Sequence, residues 1–392
     1  MFEILINKND QNKEIVLVEN GKLIEYYIEE NNSNRREGNV YVGVVKDIIK
    51  GMQSAFIDIG TEKNSFIHLK DVLPKVDECK EQLKQDVDIK DVLKKQQKIL
   101  VQVKKDSNEQ KGARVSTHIN LPGKYIALMP NTDIVTISQK IEDKKEQERL
   151  IKLVKENITK GNGAIIRTSA TGKDKEIIED IKNMEKKWET ISQKYKNYKG
   201  NEPKLINESE SIVEKMIIDL PENSIHKIIT NSKEDYDKLL KLKEQIIYLK
   251  DTQIEFKQEN VMDIYDVQKE ISKVENRKIW LKCGGFITID KTEALTAIDV
   301  NTGKFIGSKS MEETVYKVNE EATIEIAKQL RLRDIGGIII IDYIDMKEES
   351  DKERITKLLE KQLKNDRSKT QIEGFTKLDL MEMTRKHICS HK

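Results

Sequence analysis

The spacing of apolar and polar residues changes several times along this 392-residue chain, and each change marks a new kind of element. Near the start, Glu14–Glu19 and Lys22–Ile28 alternate on either side of Asn20-Gly21. Both turn residues tolerate the left-handed backbone of a two-residue loop, so this stretch predicts a hairpin. Residues 1–36 are too few to hold a core alone, and the hairpin needs strands from later in the chain. Alternation continues over 37–118 through NVYVGVVKDIIKGMQSAFIDIGTEKNSFIHLKDVL and QKILVQVKKD, with glycines at the turns. Several short strands of this kind predict a small all-β domain. Residues 119–211 open on the strand-like LPGKYIALMPNTDIVTIS. They continue as two charged helices, near Glu142–Lys160 and Lys173–Tyr198, with the apolar run Ala164–Ile166 between them. Residues 212–275 then read as helix Ile212–Met216, strand Lys227–Thr230, helix Lys233–Tyr248 and strand Thr252–Lys257.

The sharpest pattern lies in residues 276–392. Two apolar runs, Ala294–Ile298 and Ile338–Ile341, each lead into an aspartate, Asp299 and Asp342. Between them Val315, Val318, Ala322, Ile326 and Leu330 form one stripe at helical spacing. Ser310 with Glu313 predicts a capping box at the start of this helix, and Gly336-Gly337 its stop. Strand, helix, strand is a parallel crossover unit. GGFITIDKTEALTAID adds a hairpin looped at Lys291-Thr292-Glu293, and another helix is predicted near Lys352–Lys364.

This pattern carries chemistry. If the two apolar strands are neighbours, Asp299 and Asp342 meet at their C-terminal ends, where open α/β sheets place ligands. Two adjacent carboxylates repel unless a cation lies between them. A hard divalent ion such as magnesium is held by one or two carboxylates, with water and phosphate oxygens completing its shell. Asn301, two residues past Asp299, offers an amide to a phosphate or to a carboxylate. Asp345 either acts through water or caps the next helix, and capping is the simpler reading.

Two further groups point the same way. Ala164–Ile166 delivers Arg167 and Thr168 into a Gly/Ser/Thr loop, and guanidinium plus hydroxyl grips phosphate. The alternative for Arg167 is an ordinary ion pair with a carboxylate. Phe56 and Phe66 sit in the alternating strands, either as core residues or as an exposed pair on which bases stack.

Composition narrows the class. Lys and Arg total 70 and Asp and Glu 69, a net charge of +1, so a nucleic-acid partner must be met by local basic faces. Cys79, Cys283 and Cys389 are few and scattered, which fits a reducing cytoplasmic setting. The N-terminus lacks the pattern of a secretory signal, and no apolar run reaches the ~20 residues of a membrane span.

ALTAIDVNTG, EEATIEIAKQLRLRDIGG and IIIIDYIDM resemble the catalytic core of the ribonuclease E/G family, and a thinner similarity runs through nearly the whole chain. The resemblance implies an α+β multidomain fold. An OB-fold RNA-binding barrel (37–118) and a 5′-sensor (119–211) would be inserted in a ribonuclease H-like domain (1–36 with 212–275). A DNase I-like α/β catalytic domain (276–392) would follow. It implies a magnesium-dependent endoribonuclease of RNA processing and mRNA decay. This enzyme would cut single-stranded RNA to 5′-phosphate and 3′-hydroxyl ends, with stimulation by a 5′-monophosphate. Asp299 and Asp342 would hold Mg²⁺, with Asn301 in the active site. Phe56, Phe66 and Lys111 would contact RNA, and Arg167 and Thr168 the 5′-phosphate.

Two departures stand out. Gln139 and Lys140 follow Ile137-Ser138 where the family often has an arginine, so sensing of the 5′ end is expected to be weaker or to draw on Lys140. The family's Cys-Pro-x-Cys segment, which shares zinc between two protomers, is not in this sequence. His387, Cys389 and His391 are too few for a closed zinc site in one chain, and only a site shared in a homodimer would use them. Two rival readings share some of the residues named above. One is a non-catalytic RNA-binding protein. The other is a metal-dependent phosphatase or DNase, which would share the carboxylates but not need Phe56, Phe66 and Lys111.

Overall fold

A computed structural model describes residues 1–30, 35–72, 87–107, 110–265, 267–303, 311–364 and 366–388. The fold is mixed α/β, with a closed barrel and several sheets. The chain divides into two compact units, residues 34–219 and residues 1–33 with 220–391.

In the second of these units the N-terminal hairpin, Asn12–Glu19 and Lys22–Glu30, turns on Asn20 (φ 51°) and Gly21 (φ 76°). Its neighbour Phe2–Lys8 pairs in parallel with Ile225–Thr230, and Gln253–Phe256 completes a five-stranded sheet. Glu25 of the hairpin is buried, and Arg367 donates to it from Nε at 3.1 Å.

The C-terminal sheet has six strands, in the order Lys278–Trp280, Phe286–Lys291, Leu295–Asn301, Gly337–Asp342, Leu380–Arg385 and Thr370–Phe375. The pair Leu295–Asn301 and Gly337–Asp342 is parallel, and every other neighbouring pair is antiparallel. Helix Met311–Leu332 makes the crossover, and its whole predicted stripe is buried. Helix Glu349–Leu363 adds Ile355, Leu359 and Leu363 to the same core. Both helices therefore lie on one side of the sheet. Ile298, Val300, Ile339 and Ile341 point into that core, while Ala297, Asp299, Asn301, Ile338 and Asp342 stand on the opposite face, which no helix of this core covers among the described residues.

Several local expectations are corrected. The crossover helix ends at Leu332, before the glycine pair, with Asp334 in the left-handed region (φ 44°). Asp tolerates that conformation, and buried Arg385 holds its carboxylate at 2.8 Å. Gly337 (φ 88°) instead opens the next strand. Asp345 does not cap the last helix, whose N-cap is Glu348. Met346 is buried in the core, which keeps the chain on the sheet until the helix starts. The strand carrying Asp299 runs on to Asn301, because Phe286 still pairs with Asn301. Ser310, the predicted cap, lies outside the described residues.

In the unit of residues 34–219, strands Val40–Ile49, Ser54–Asp58, Ser65–His68, Arg114–Ser116 and Lys98–Lys105 form the barrel. It closes because Val40–Ile49 pairs with both Ser54–Asp58 and Lys98–Lys105. A four-stranded sheet follows, in the order Val135–Ile137, Asn162–Ile166, Ile126–Pro130 and Leu121–Pro122. Helices Lys144–Asn157 and Asp174–Asn197 lay Leu150, Val154, Ile177 and Ile181 into its core.

Candidate active site

Asp299 and Asp342 are register partners across the parallel pair, so their side chains leave the same face of the sheet as immediate neighbours. Asp299 is half-buried and Asp342 exposed. Asn301 is two residues on and so shares the face, and its Nδ2 donates to Asp299 Oδ2. That bond fixes one carboxylate oxygen and leaves the other available. Partial desolvation at the sheet surface, then the neighbouring charges of Asp299 and Asp345, push the Asp342 carboxyl above its usual range. Asp345 is exposed and contributes to this negative field.

The donor set suits a hard divalent cation with an open shell. Two carboxylates converge and repel, so charge is needed between them. No group of three or more His, Cys, Asp or Glu able to hold a metal occurs among the described residues, so water and substrate oxygens would fill the remaining positions. A closed zinc site is a poor match. His387 Nδ1 lies 2.8 Å from the Asp334 carbonyl, and Cys389 and His391 lie outside the described residues.

In the barrel, Ala55, Ile57 and Ile67 face the interior, and Phe56 and Phe66 alternate with them onto the outer surface. The two rings are directly opposed across the strands and meet edge-on at 6.3 Å. They are half-buried rather than core, so one face of the pair is open to a ligand. Lys111 is exposed and reaches this neighbourhood through Gly112. A Cβ at Gly112 would lie 1.9 Å from the carbonyl oxygen of Asn64, two residues before Phe66, so only glycine permits the approach.

Arg167 directly follows strand Asn162–Ile166 and is committed on two sides. Its guanidinium donates to the Gly123 carbonyl at 2.9 Å and pairs with Asp219. The Thr168 hydroxyl lies 3.1 Å from that of Ser138, and the Lys140 backbone N–H donates to Ser138 Oγ. Arg167, Thr168 and Ser138 therefore gather at one loop, with Lys140 exposed beside them. Gln139 is exposed as well. The Asp219 pairing was not legible in sequence, because Asp219 is 52 residues from Arg167 and ends a different helix. Asp180 is a second acid near Arg167. Its Oδ2 accepts the backbone N–H of Tyr125 and of Ile126, and burial pushes its carboxyl up to about 6.

Trp280, Phe286 and Lys278 also stand on the uncovered face of the C-terminal sheet, and the sequence reading passed over them. The available signal was an aromatic on either side of Gly284-Gly285, which alone does not separate core from surface.

Among the described residues, no helix is long and apolar enough to cross a membrane. The profile of the Ribonuclease E/G family matches residues 120–388. Ribonuclease G of Escherichia coli is 37% identical over 391 residues, spanning 98% of this chain and 79% of the relative. Ribonuclease G of Haemophilus influenzae is 36% identical over 390 residues, with the same coverage of 98% and 79%. Ribonuclease E of a Nostoc species is 35% identical over 360 residues, spanning 89% of this chain and 51% of the relative. With that identity along nearly its full length, and with the matched region containing Asp299, Asn301 and Asp342, the chain belongs to the ribonuclease E/G family.

Proposed function

We propose that this endoribonuclease cuts single-stranded RNA at Asp299, Asn301 and Asp342, using magnesium, in cytoplasmic RNA processing and mRNA decay. The observation that carries the reading is the register pairing of Asp299 with Asp342 on the open face of the sheet. Bound between these carboxylates, Mg²⁺ would supply positive charge to the scissile phosphate and make water a better nucleophile at neutral pH. Asn301 holds Asp299 in a fixed orientation through its amide. Water attacks phosphorus, the bond to the 3′-oxygen breaks, and that oxygen takes up a proton. The products are a 5′-phosphate and a 3′-hydroxyl. The open face admits an extended strand, and a duplex would offer its phosphates in a different, fixed geometry.

In the same reading, residues 37–118 are an OB-fold barrel that grips RNA through Phe56, Phe66 and Lys111. Residues 119–211 sense the 5′ end. Residues 1–36 with 212–275 are ribonuclease H-like and structural, and 276–392 is the DNase I-like catalytic domain. A 5′-monophosphate is taken up by Arg167 and Thr168, competing with Asp219 for the guanidinium. That competition predicts a modest 5′-end effect. The test compares cleavage of one RNA bearing a 5′-monophosphate or a 5′-hydroxyl, for the native chain and for Arg167→Ala. A faster monophosphate reaction that Arg167→Ala reduces to the hydroxyl rate supports the sensor. Equal rates for both ends in the native chain would refute it.

A further inference from the structure

The uncovered face of the C-terminal sheet holds an aromatic pair directly beside the carboxylates. Phe286 is the register partner of Asn301, and Thr288 that of Asp299. On the next strand Trp280 is the partner of Phe286, and Lys278 that of Thr288. Directly opposed residues of antiparallel strands share a face. Lys278, Thr288, Asp299 and Asp342 thus form one row across the sheet, and Trp280, Phe286 and Asn301 form the next. With strands about 4.8 Å apart, Phe286 lies about 5 Å and Trp280 about 10 Å from the Asn301 backbone. An extended RNA strand covers such a span in one or two nucleotides.

The group is built and exposed. The Trp280 and Phe286 rings meet edge-on at 5.3 Å, so each braces the other. Lys278 Nζ lies 4.2 Å from the Trp280 ring centre and 3.5 Å from that of Phe286. Trp280 is nonetheless 60% exposed, which is high for so large an apolar side chain. Arg277, one residue earlier, is held by Asp290 at 2.7 Å, so the cation over the rings is the lysine. A flat ring, a bracing ring and an ammonium group are what a nucleobase and its phosphate require for stacking and charge pairing.

We infer that Trp280, braced by Phe286, stacks a nucleobase of the RNA one or two nucleotides from the cleaved bond, while Lys278 contacts the adjoining phosphate. This rests on the reading of Asp299 and Asp342 as the cleavage site. The platform would hold the strand in register over the carboxylates and favour bases that stack well. Its chemistry recognises any base, so it would tune position and KM more than sequence choice.

The chain has two tryptophans, Trp188 and Trp280, and fluorescence separates them. The Trp188→Phe protein would be titrated in EDTA with a ten-nucleotide A/U-rich RNA, beside Trp280→Phe in the native background. Quenching is expected in the first protein and not in the second. Stacking magnitudes predict that Trp280→Ala weakens RNA binding and raises KM about 5- to 100-fold, with kcat much less affected. Trp280→Phe should keep binding near the native level, which separates lost stacking from a damaged fold. Unchanged affinity and KM in Trp280→Ala would overturn the proposal. So would a change of oligomeric state alone, which would make the face a contact between copies. If Asp299→Ala and Asp342→Ala still cleave, the cleavage-site reading has failed. If they do not, and Trp280→Ala binds normally, only the platform has failed.

Discussion

Glu25 is 1% exposed and lies on the N-terminal hairpin, yet the fold keeps it charged. Burial alone would push its carboxyl up. The charge and hydrogen bonds of Arg367, the charge of Arg331 and the Tyr27 hydroxyl outweigh that and hold it below the ordinary 4.5. Tyr27 donates at 3.0 Å, Arg367 Nε at 3.1 Å, and Arg331 lies 3.7 Å away. Glu25→Ala removes the carboxylate from a guanidinium whose side chain is 6% exposed. Breaking a buried pair in this way costs about 3–5 kcal/mol. That is a large share of the roughly 5–15 kcal/mol that stabilises a typical folded protein. Urea unfolding in a Trp188→Phe background, where Trp280 alone reports on this unit, is the assay. At a slope of about 2 kcal/mol per molar urea, the midpoint should fall by about 2 M. A double substitution, Glu25→Leu with Arg367→Met, should recover much of the loss, because neither charge is then left buried. The folded carboxyl titrates below its unfolded value, so its stabilisation is present above pH ~4.5 and is lost as pH falls through the folded pKa. A loss under about 1 kcal/mol for Glu25→Ala would show that the buried pair is not a main support of this unit.

Asp180 has the opposite sign, since its carboxyl rises from 3.8 to about 6 on folding, so its stabilisation is full below pH ~4 and is lost as pH rises through about 6. Asp180→Asn should therefore be more stable than the native chain at pH 7.5, by about 3 kcal/mol, with the difference vanishing near pH 4. Phe56→Ala or Phe66→Ala should weaken RNA binding by about 1–3 kcal/mol without altering its salt dependence, and Lys111→Ala should reduce the salt slope by about one, both read from titrations at several ionic strengths. Asn301→Ala should slow cleavage about 10²-fold at saturating RNA with little change in RNA affinity, since it frees the Asp299 carboxylate it now orients.

The elements whose periodicity is strong were legible in the sequence. The stripe from Val315 to Leu330 is buried as its spacing predicts, and the two apolar runs bring Asp299 and Asp342 into register. Asn20-Gly21 forms its turn because local chemistry alone decides it. Features set by distant contacts were not legible. Arg167 pairs with Asp219, whose position depends on the packing of a later helix. The stop of the crossover helix depends on Asp334, which Arg385 holds from the far end of the domain. The final strand pair, Thr370–Phe375 and Leu380–Arg385, has a register shift at Gly374 (φ 102°), and that irregularity breaks the alternation that marks a strand. Whether Phe56, Phe66 and Trp280 face a core or solvent turned on which side of each sheet is covered, and single-strand patterns do not carry that information.

The role of Asp299 and Asp342 is tested by single-turnover cleavage of a short A/U-rich RNA across a magnesium titration. It would use the native chain, Asp299→Asn and Asp342→Asn, with RNA binding followed in parallel. Magnesium held by Asp299 and Asp342 predicts no internal cuts in EDTA and a rate that saturates with magnesium. It also predicts a loss of at least about 10²-fold in each variant, with RNA affinity retained. Cleavage that persists in EDTA, or a native rate in either variant at saturating magnesium, would contradict that role.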